Sequence, residues 1–331
     1  MVERDKIIRG LRAFLFLSIL TAVVIMAVTG KKETIEGLKK MHVFFVAIAF
    51  IFWILYVLFD SFKISVLGKG ISGKSVPLKR SLEVILGGHF LAAVTPFQTG
   101  GFPLQIYLLT REGMSIGKGA SIVLMRSFLF GVFLLIFFPF LLPLAGREIK
   151  EISIISSYAF FAYAFVLFFL FLLLFKPQAI KTIFLKIPFG KKLFKKLAEE
   201  VDELRRSLFF FITQSRKELG IAFVFNFLGY LFYFSIAPLI LLGLGIKAPI
   251  FTVFLLQIFV VMVTFFFPTP GASGAAEGAF LALFSRFCPF HMLGVYTLLW
   301  RFFTFYTSTI AGGIVTLKLV GVNDAGHKRK D

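Results

Sequence analysis

The chain has a single cysteine, Cys288. That excludes an intrachain disulfide and a thiolate metal cluster. Histidine is scarce too, and His42, His89, His291 and His327 are scattered. No HExxH, Walker loop, GxSxG or paired catalytic carboxylates occur. These gaps count against an enzyme and against a metal or other cofactor. Charge is also short: 16% of the 331 residues are charged, against roughly 25% in a soluble domain. Acid is the scarcer sign, with 17 acidic residues against 36 basic ones.

What fills the chain instead is hydrocarbon, with 58% of residues hydrophobic and 48 of them phenylalanine. Crossing a hydrocarbon core of about 30 Å takes about 20 apolar residues. Residues 13–30, 41–59, 127–146, 152–175 and 219–246 are charge-free, and 287–317 holds only Arg301. The run 13–30 is too long for the core of a cleavable leader and reads as a span. The fold class is therefore all-α, a polytopic integral membrane protein. Full crossings are expected near 11–29, 41–62, 119–145, 152–175, 218–245 and 290–318.

The net charge of +19 is better explained by the positive-inside rule than by nucleic acid. With a cytoplasmic N-terminus, four basic residues in 1–12, five in 63–80, two in 111–118, eleven in 176–217 and four in 318–330 fall inside. Seven, in 31–40, 147–150 and at Lys247, fall outside. Both termini are expected in the cytoplasm, with the protein in the cell membrane. Between the halves, Leu193, Leu197, Val201, Leu204, Leu208 and Phe211 recur at helical spacing. They predict an amphipathic connector over 176–217 that lies near anionic head groups of the inner face or packs on the bundle. The whole of 1–320 reads as one transmembrane domain, halves 1–175 and 218–320, with a short tail at 321–331.

Two apolar stretches are broken by proline and glycine: Thr95-Pro96-Phe97-Gln98-Thr99-Gly100-Gly101-Phe102-Pro103 and Pro268-Thr269-Pro270-Gly271-Ala272-Ser273-Gly274. Proline removes a donor and glycine loosens the chain, so helices should break there. Broken backbone at membrane depth survives only inside protein or beside a wet cavity. Matched breaks in two halves point to a transporter's binding site. The expectation is two re-entrant pairs, near 81–110 and 249–286, entering from opposite sides as an inverted repeat. The alternative is a set of ordinary helices with proline kinks.

An ionised side chain at mid-membrane costs about 2.5–3.5 kcal/mol on insertion scales. Glu277, Arg301, Arg126 and, at the mouth of the first pair, Glu83 are the candidates. Glu277 and Arg301 could pair structurally, and Arg126 could snorkel to the interface. The functional reading is an anionic head-group site. Half-helix N-termini offer free N–H groups, and arginine adds a forked donor suited to phosphate. Candidate lining residues are Thr95, Gln98, Thr99, Gly100, Gly101, Gln105, Tyr107, Arg126, Gly271, Ser273, Gly274, Glu277 and Arg301. The small residues from Gly271 to Ala279 also suit close helix packing.

At these motifs the chain resembles the membrane, flippase-like domain of the lysylphosphatidylglycerol synthase family. The matching residues are Gly87-Gly88, Thr95-Pro96, Gly100-Gly101, Gln105-Ile106-Tyr107-Leu108-Leu109, Arg111-Glu112-Gly113 and Arg126 in the first half. In the second they are Pro268-Thr269-Pro270-Gly271, Gly274, Glu277-Gly278, Arg301, Tyr306 and Gly312-Gly313. The second motif usually carries a double glycine, and here Ala272 follows Gly271. Synthase members continue into a cytoplasmic aminoacyl-transferase domain, whereas thirteen residues follow Lys318 here, so aminoacyl-lipid synthesis is not carried over. The resemblance implies translocation of a polar or anionic lipid, such as a phospholipid or a polyprenyl-phosphate-linked lipid. The membrane lipid is then the substrate, with no nucleic acid as partner and a homo-oligomer left open. The rivals are a secondary transporter of a small anionic solute and a membrane-embedded transferase on a lipid-linked substrate.

Overall fold

Long apolar runs without partners for their backbone groups have one economical solution in hydrocarbon, the α-helix. The structure, a computed structural model, describes residues 4–148, 165, 168, 203–265 and 267–327. Within them the regular structure is helical and no strand occurs. In chain order the helices are α1 (Arg4–Thr29), α2 (Lys32–Lys39), α3 (Val43–Ser72), α4 (Leu78–Val94), α5 (Gly101–Thr110), α6 (Ile116–Glu148) and α7 (203–213). They continue as α8 (Arg216–Phe234), α9 (Ile236–Gly243), α10 (Ile250–Thr264), α11 (Ala275–Phe284), α12 (Phe290–Arg301) and α13 (Thr307–His327). Four described stretches are long and apolar enough to cross a membrane: Arg9–Thr29, Val43–Ser72, Ile116–Leu141 and Arg216–Gly243. The chain also runs helically from α12 through a π-helical turn, Phe302–Tyr306, into α13.

The expected crossing at 152–175, residues 165 and 168 apart, and most of the expected connector lie outside the described residues. The part of the connector that is described, α7, buries Leu208 and Phe211 and exposes Phe209 and Phe210. Three boundaries differ from the sequence expectation. The segment 31–40, placed between the first two expected crossings, forms α2 and docks on α12, with Thr34 buried and its hydroxyl donating to the His291 carbonyl at 2.6 Å. The expected crossing at 218–245 is divided at Ser235 into α8 and α9. Pro238 lacks the N–H that would have bonded the Phe234 carbonyl. Gln257 repairs the break, because its Oε1 accepts Ala237 N–H at 3.0 Å and its Nε2 donates to Tyr233 O at 3.1 Å. Finally, α3 runs ten residues beyond its expected end at 62, for a reason given below.

Both Pro/Gly stretches do break. α4 and α5 are separated by the 3-10 turn Pro96–Gln98, and α10 and α11 by the turn Pro270–Ala272. α4 has 17 residues and α10 has 15. At 1.5 Å per residue each rises about 22–26 Å, short of the core thickness of about 30 Å. The two turns share a backbone pattern. In each, Thr-Pro is followed by two left-handed residues: Phe97 and Gln98 (φ 52° and 56°), then Gly271 and Ala272 (φ 60° and 53°). The six-residue strings Thr95–Gly100 and Thr269–Gly274 thus read Thr-Pro-x-x-(Thr/Ser)-Gly.

The residues fall into two compact units that interleave along the chain. One comprises 1–58, 82–104 and 228–331; the other comprises 59–81 and 105–227. The first contains both turns. Within it, turn 96–98 packs against turn 270–272, and α1 also packs on the latter. Close helix approaches hold this arrangement. A Cβ on Gly312 of α13 would collide with the Leu86 carbonyl of α4, and one on Gly101 would sit 2.8 Å from the Gly88 carbonyl. Phe14, Phe90, Leu91 and Val94 form a buried cluster beside the turns.

Candidate functional site

Glu277 stands in the first turn of α11 and Arg301 at the last residue of α12. Both are buried, at 1% and 3% exposure. Arg301 Nε donates to Glu277 Oε1 at 2.6 Å, and Arg301 Nη2 donates to the Gly271 carbonyl at 3.0 Å. Glu277 Oε2 accepts the Gly274 N–H at 2.8 Å. The guanidinium carbon lies 4.4 Å from the Phe305 ring centre and 5.7 Å from that of Trp300, within cation–π range. Two charges this deep are tolerable only when paired and further hydrogen-bonded. The aromatic wall behind them is a stack of Phe280, Phe284 and Trp300, with centroids 4.1 and 4.4 Å apart about Phe280. Tyr296 lies edge-on to Phe280, and its hydroxyl donates to Ala237 O at 3.1 Å.

Local sequence explains how these groups meet. Pro270 starts the turn, Gly271 takes the left-handed conformation, and a Cβ there would strike the Phe305 ring. Gly274, at φ 85°, precedes α11. The π-turn after Arg301 carries Phe305 against the guanidinium, and such single π-turns inside helices are frequent at functional sites. Two polar atoms beside the pair, Ser273 Oγ and Trp300 Nε1, are buried without a hydrogen-bond partner. An unmet buried donor costs about 1–3 kcal/mol, so each would be satisfied by a ligand's acceptor oxygen. The N–H groups opening α11 point the same way in kind, since first-turn N–H groups have no intrahelical acceptor.

The remaining candidates sort by unit. Thr95, Gln98, Gly100, Gly101, Gly271, Ser273, Gly274, Glu277 and Arg301 all lie in the first unit, at or beside the two packed turns. Thr95 serves the backbone: its hydroxyl donates to Leu91 O at 2.6 Å and accepts Gly100 N–H at 2.9 Å. Thr99 likewise donates to Pro96 O at 3.0 Å. Gln98 is half-buried and Gly101 buried. Gln105, Tyr107 and Arg126 belong to the second unit. Gln105 is buried; Tyr107 is exposed, with Arg111 5.9 Å from its ring centre.

Arg126 does not snorkel. It grips Asp60 with two nitrogens, Nη2 to Oδ2 at 2.6 Å and Nε to both oxygens at 3.1 Å. Lys63 Nζ lies 2.7 Å from Asp60 Oδ1 and donates to Asn226 Oδ1 at 2.8 Å, while Asn226 Nδ2 donates to Leu129 O at 2.9 Å. Asp60, Lys63 and Asn226 are all fully buried. Sequence reasoning missed this network, because Asp60 and Lys63 close an apolar run and look like interfacial charges. Mutual neutralisation lets α3 continue past them. The signal available was their i, i+3 spacing, which puts opposite charges on one helix face. Among the described residues, no three His, Cys, Asp or Glu side chains gather as metal ligands do.

Long apolar helices, paired helix breaks and buried ion pairs define a polytopic α-helical membrane protein. A family model, the lysylphosphatidylglycerol synthase TM region, matches residues 15–312. The chain belongs to that family. It is also 26% identical over 317 residues to a protein of Archaeoglobus fulgidus described as a UPF0104 membrane protein. The match covers 91% of this chain and 94% of that protein.

Proposed function

We propose that the protein moves an anionic lipid head group across the cytoplasmic membrane, with the tails left in the bilayer. The observation that carries this reading is the Glu277–Arg301 pair. It is set at a helix break, bonded to the backbone of that break, and flanked by the unmatched Ser273 hydroxyl and Trp300 indole N–H. A structural lock alone would not need buried donors left over. Phosphate oxygens are the natural acceptors for arginine, a hydroxyl and helix N–H groups. The two breaks act as re-entrant hairpins of an inverted repeat, entering from opposite sides. Their shared Thr-Pro-x-x-(Thr/Ser)-Gly backbone and their mutual packing support this. Family membership supports a lipid-related role over a soluble-solute one. The basic connector and tails lie on the cytoplasmic face, near anionic head groups.

The test has two steps. Lipid retained by the purified protein is identified by mass spectrometry, and translocation of that lipid is then measured in proteoliposomes. Protein-dependent movement supports the reading. Retained lipid that does not move, together with uptake of a small anionic solute, would favour the secondary-transporter rival.

A further inference from the structure

A groove runs along the first unit between α1 and the α12–α13 segment, lined among others by Leu15, Ile19, Ala22, Phe302, Tyr306 and Ile310. Its rim is exposed: Ile19 is 63% and Ile310 60% accessible. Its buried floor includes Phe14 and Ser18. From these features we infer that the groove is a lateral port holding one acyl or prenyl chain of the translocated lipid, with the head group directed to the Glu277–Arg301 site. The inference rests on the proposed function and specifies its substrate as an amphiphile taken from the bilayer.

Three observations carry it. First, the α1 span is the least buried of the four, with 17% of its most apolar stretch inside the protein. A face so exposed on a membrane helix meets hydrocarbon, so lipid chains are at hand to fill the groove. Second, the accessible lining of the groove is apolar throughout. The Ser18 hydroxyl is buried behind that lining without a hydrogen-bond partner. A hydrocarbon lining accepts an acyl or prenyl chain and offers nothing to a polar head group, which fits a port for the tail alone. Third, the groove shares a wall with the ion pair. Phe302 and Tyr306 bound the π-turn, and Phe305 of the same turn lies against the Arg301 guanidinium. Phe14 packs edge-on against both Phe305 and Tyr306, at 5.7 and 6.4 Å between centroids. A chain seated in the groove is thus one aromatic layer from the buried charges.

The experiment uses the full chain in phosphatidylglycerol vesicles doped with phosphatidylglycerol carrying a diazirine in its acyl chain. After illumination, adducts are mapped by peptide mass spectrometry, and head-group movement is measured in the same vesicles. The expected result is label concentrated at Ile19, Ala22 and Ile310. It should be lost in Ala22→Trp and in Ile310→Trp, each of which fills the groove, and kept in Val23→Trp, which lies on the exposed side of α1 outside it. Label spread evenly over α1, with Phe16 and Val23 marked as strongly as Ile19, would overturn the port. So would label unchanged by both groove-filling variants. Efficient disulfide capture of one copy by another through Ile19→Cys and Ile310→Cys would overturn it in favour of a seam between copies. The wild-type map decides even if a tryptophan variant folds poorly. Groove label without head-group movement would sink translocation alone, whereas movement without groove label would sink the port alone.

Discussion

Glu277 divides its carboxylate between two partners: Oε1 holds the Arg301 Nε–H at 2.6 Å and Oε2 holds the Gly274 N–H at 2.8 Å. Arg301 returns to the same segment through Nη2 and the Gly271 carbonyl. The pair therefore closes a ring around residues 271–277 and ties the start of α11 to the end of α12. A substrate anion competing for Arg301 would loosen the backbone of the break as well as the ion pair. That couples binding to a conformational element rather than to a rigid pocket.

The second break should be sensitive to glycine placement. Gly271 sits at φ 60° with Phe305 where a Cβ would go. The left-handed conformation costs a non-glycine residue roughly 1–2 kcal/mol, and the collision adds to that. Gly271→Ala should lower the melting temperature clearly in detergent. Ala272 already carries the same strain at φ 53°. Ala272→Gly relieves about 1–2 kcal/mol and loses roughly 0.5–1 kcal/mol to added chain entropy. It should be neutral or slightly stabilising. Equal destabilisation by both substitutions would show that the turn is not held as described.

Asp60 should matter more for stability than its place near the expected end of the second crossing suggests. Its carboxylate faces Arg126 and Lys63 at once, fully buried. Removing one partner of a buried pair costs about 3–5 kcal/mol, since the remaining charge is left uncompensated. Asp60→Asn should therefore sharply reduce the yield of folded protein and the melting temperature, whereas Lys63→Met, which leaves the Asp60–Arg126 pair intact, should cost less. Wild-type melting of Asp60→Asn would sink this account.

What was legible in the sequence was what local chemistry controls. Pro96, Pro270 and the glycines around them act on their own backbone, so both breaks could be placed. Glu277 and Arg301 stood out because no other charge surrounds them. The rest depended on partners distant in sequence. Asp60 and Lys63 could be recognised as interior only with Arg126 and Asn226, some 66 and 163 residues away, in place. The left-handed pair Phe97-Gln98 was hidden because neither residue is glycine, and only tertiary packing can hold a non-glycine residue there. Gln257 looked like one more polar residue in a hydrophobic run, and its task became visible only with the Ser235 break.

Orientation is open to a direct labelling test. The only native thiol, Cys288, lies in the turn between α11 and α12. It is 2% exposed, and burial pushes it up to about 12. At neutral pH it stays protonated and shielded, and thiolate is the reactive form. The unmodified protein should therefore take up almost no membrane-impermeant maleimide. Against that silent background, Lys31→Cys should label from outside intact cells, and Lys191→Cys only after permeabilisation. Outside labelling at position 191 would reverse the proposed topology.

The decisive test concerns Glu277 and Arg301 together. If they only lock α11 to α12, Glu277→Gln and Arg301→Gln should each destabilise by about 3–5 kcal/mol, the usual cost of orphaning a buried charge. The double substitution should then recover most of that loss, because neither charge remains. If the pair also receives a head group, the double variant should fold and insert but fail to translocate lipid. Arg301 alone supplies the forked cation, and no neutral amide replaces it. We expect the second pattern, with melting temperature largely restored and translocation reduced to the protein-free rate. Wild-type translocation by a well-folded double variant would remove the pair from the site and leave it a structural tie.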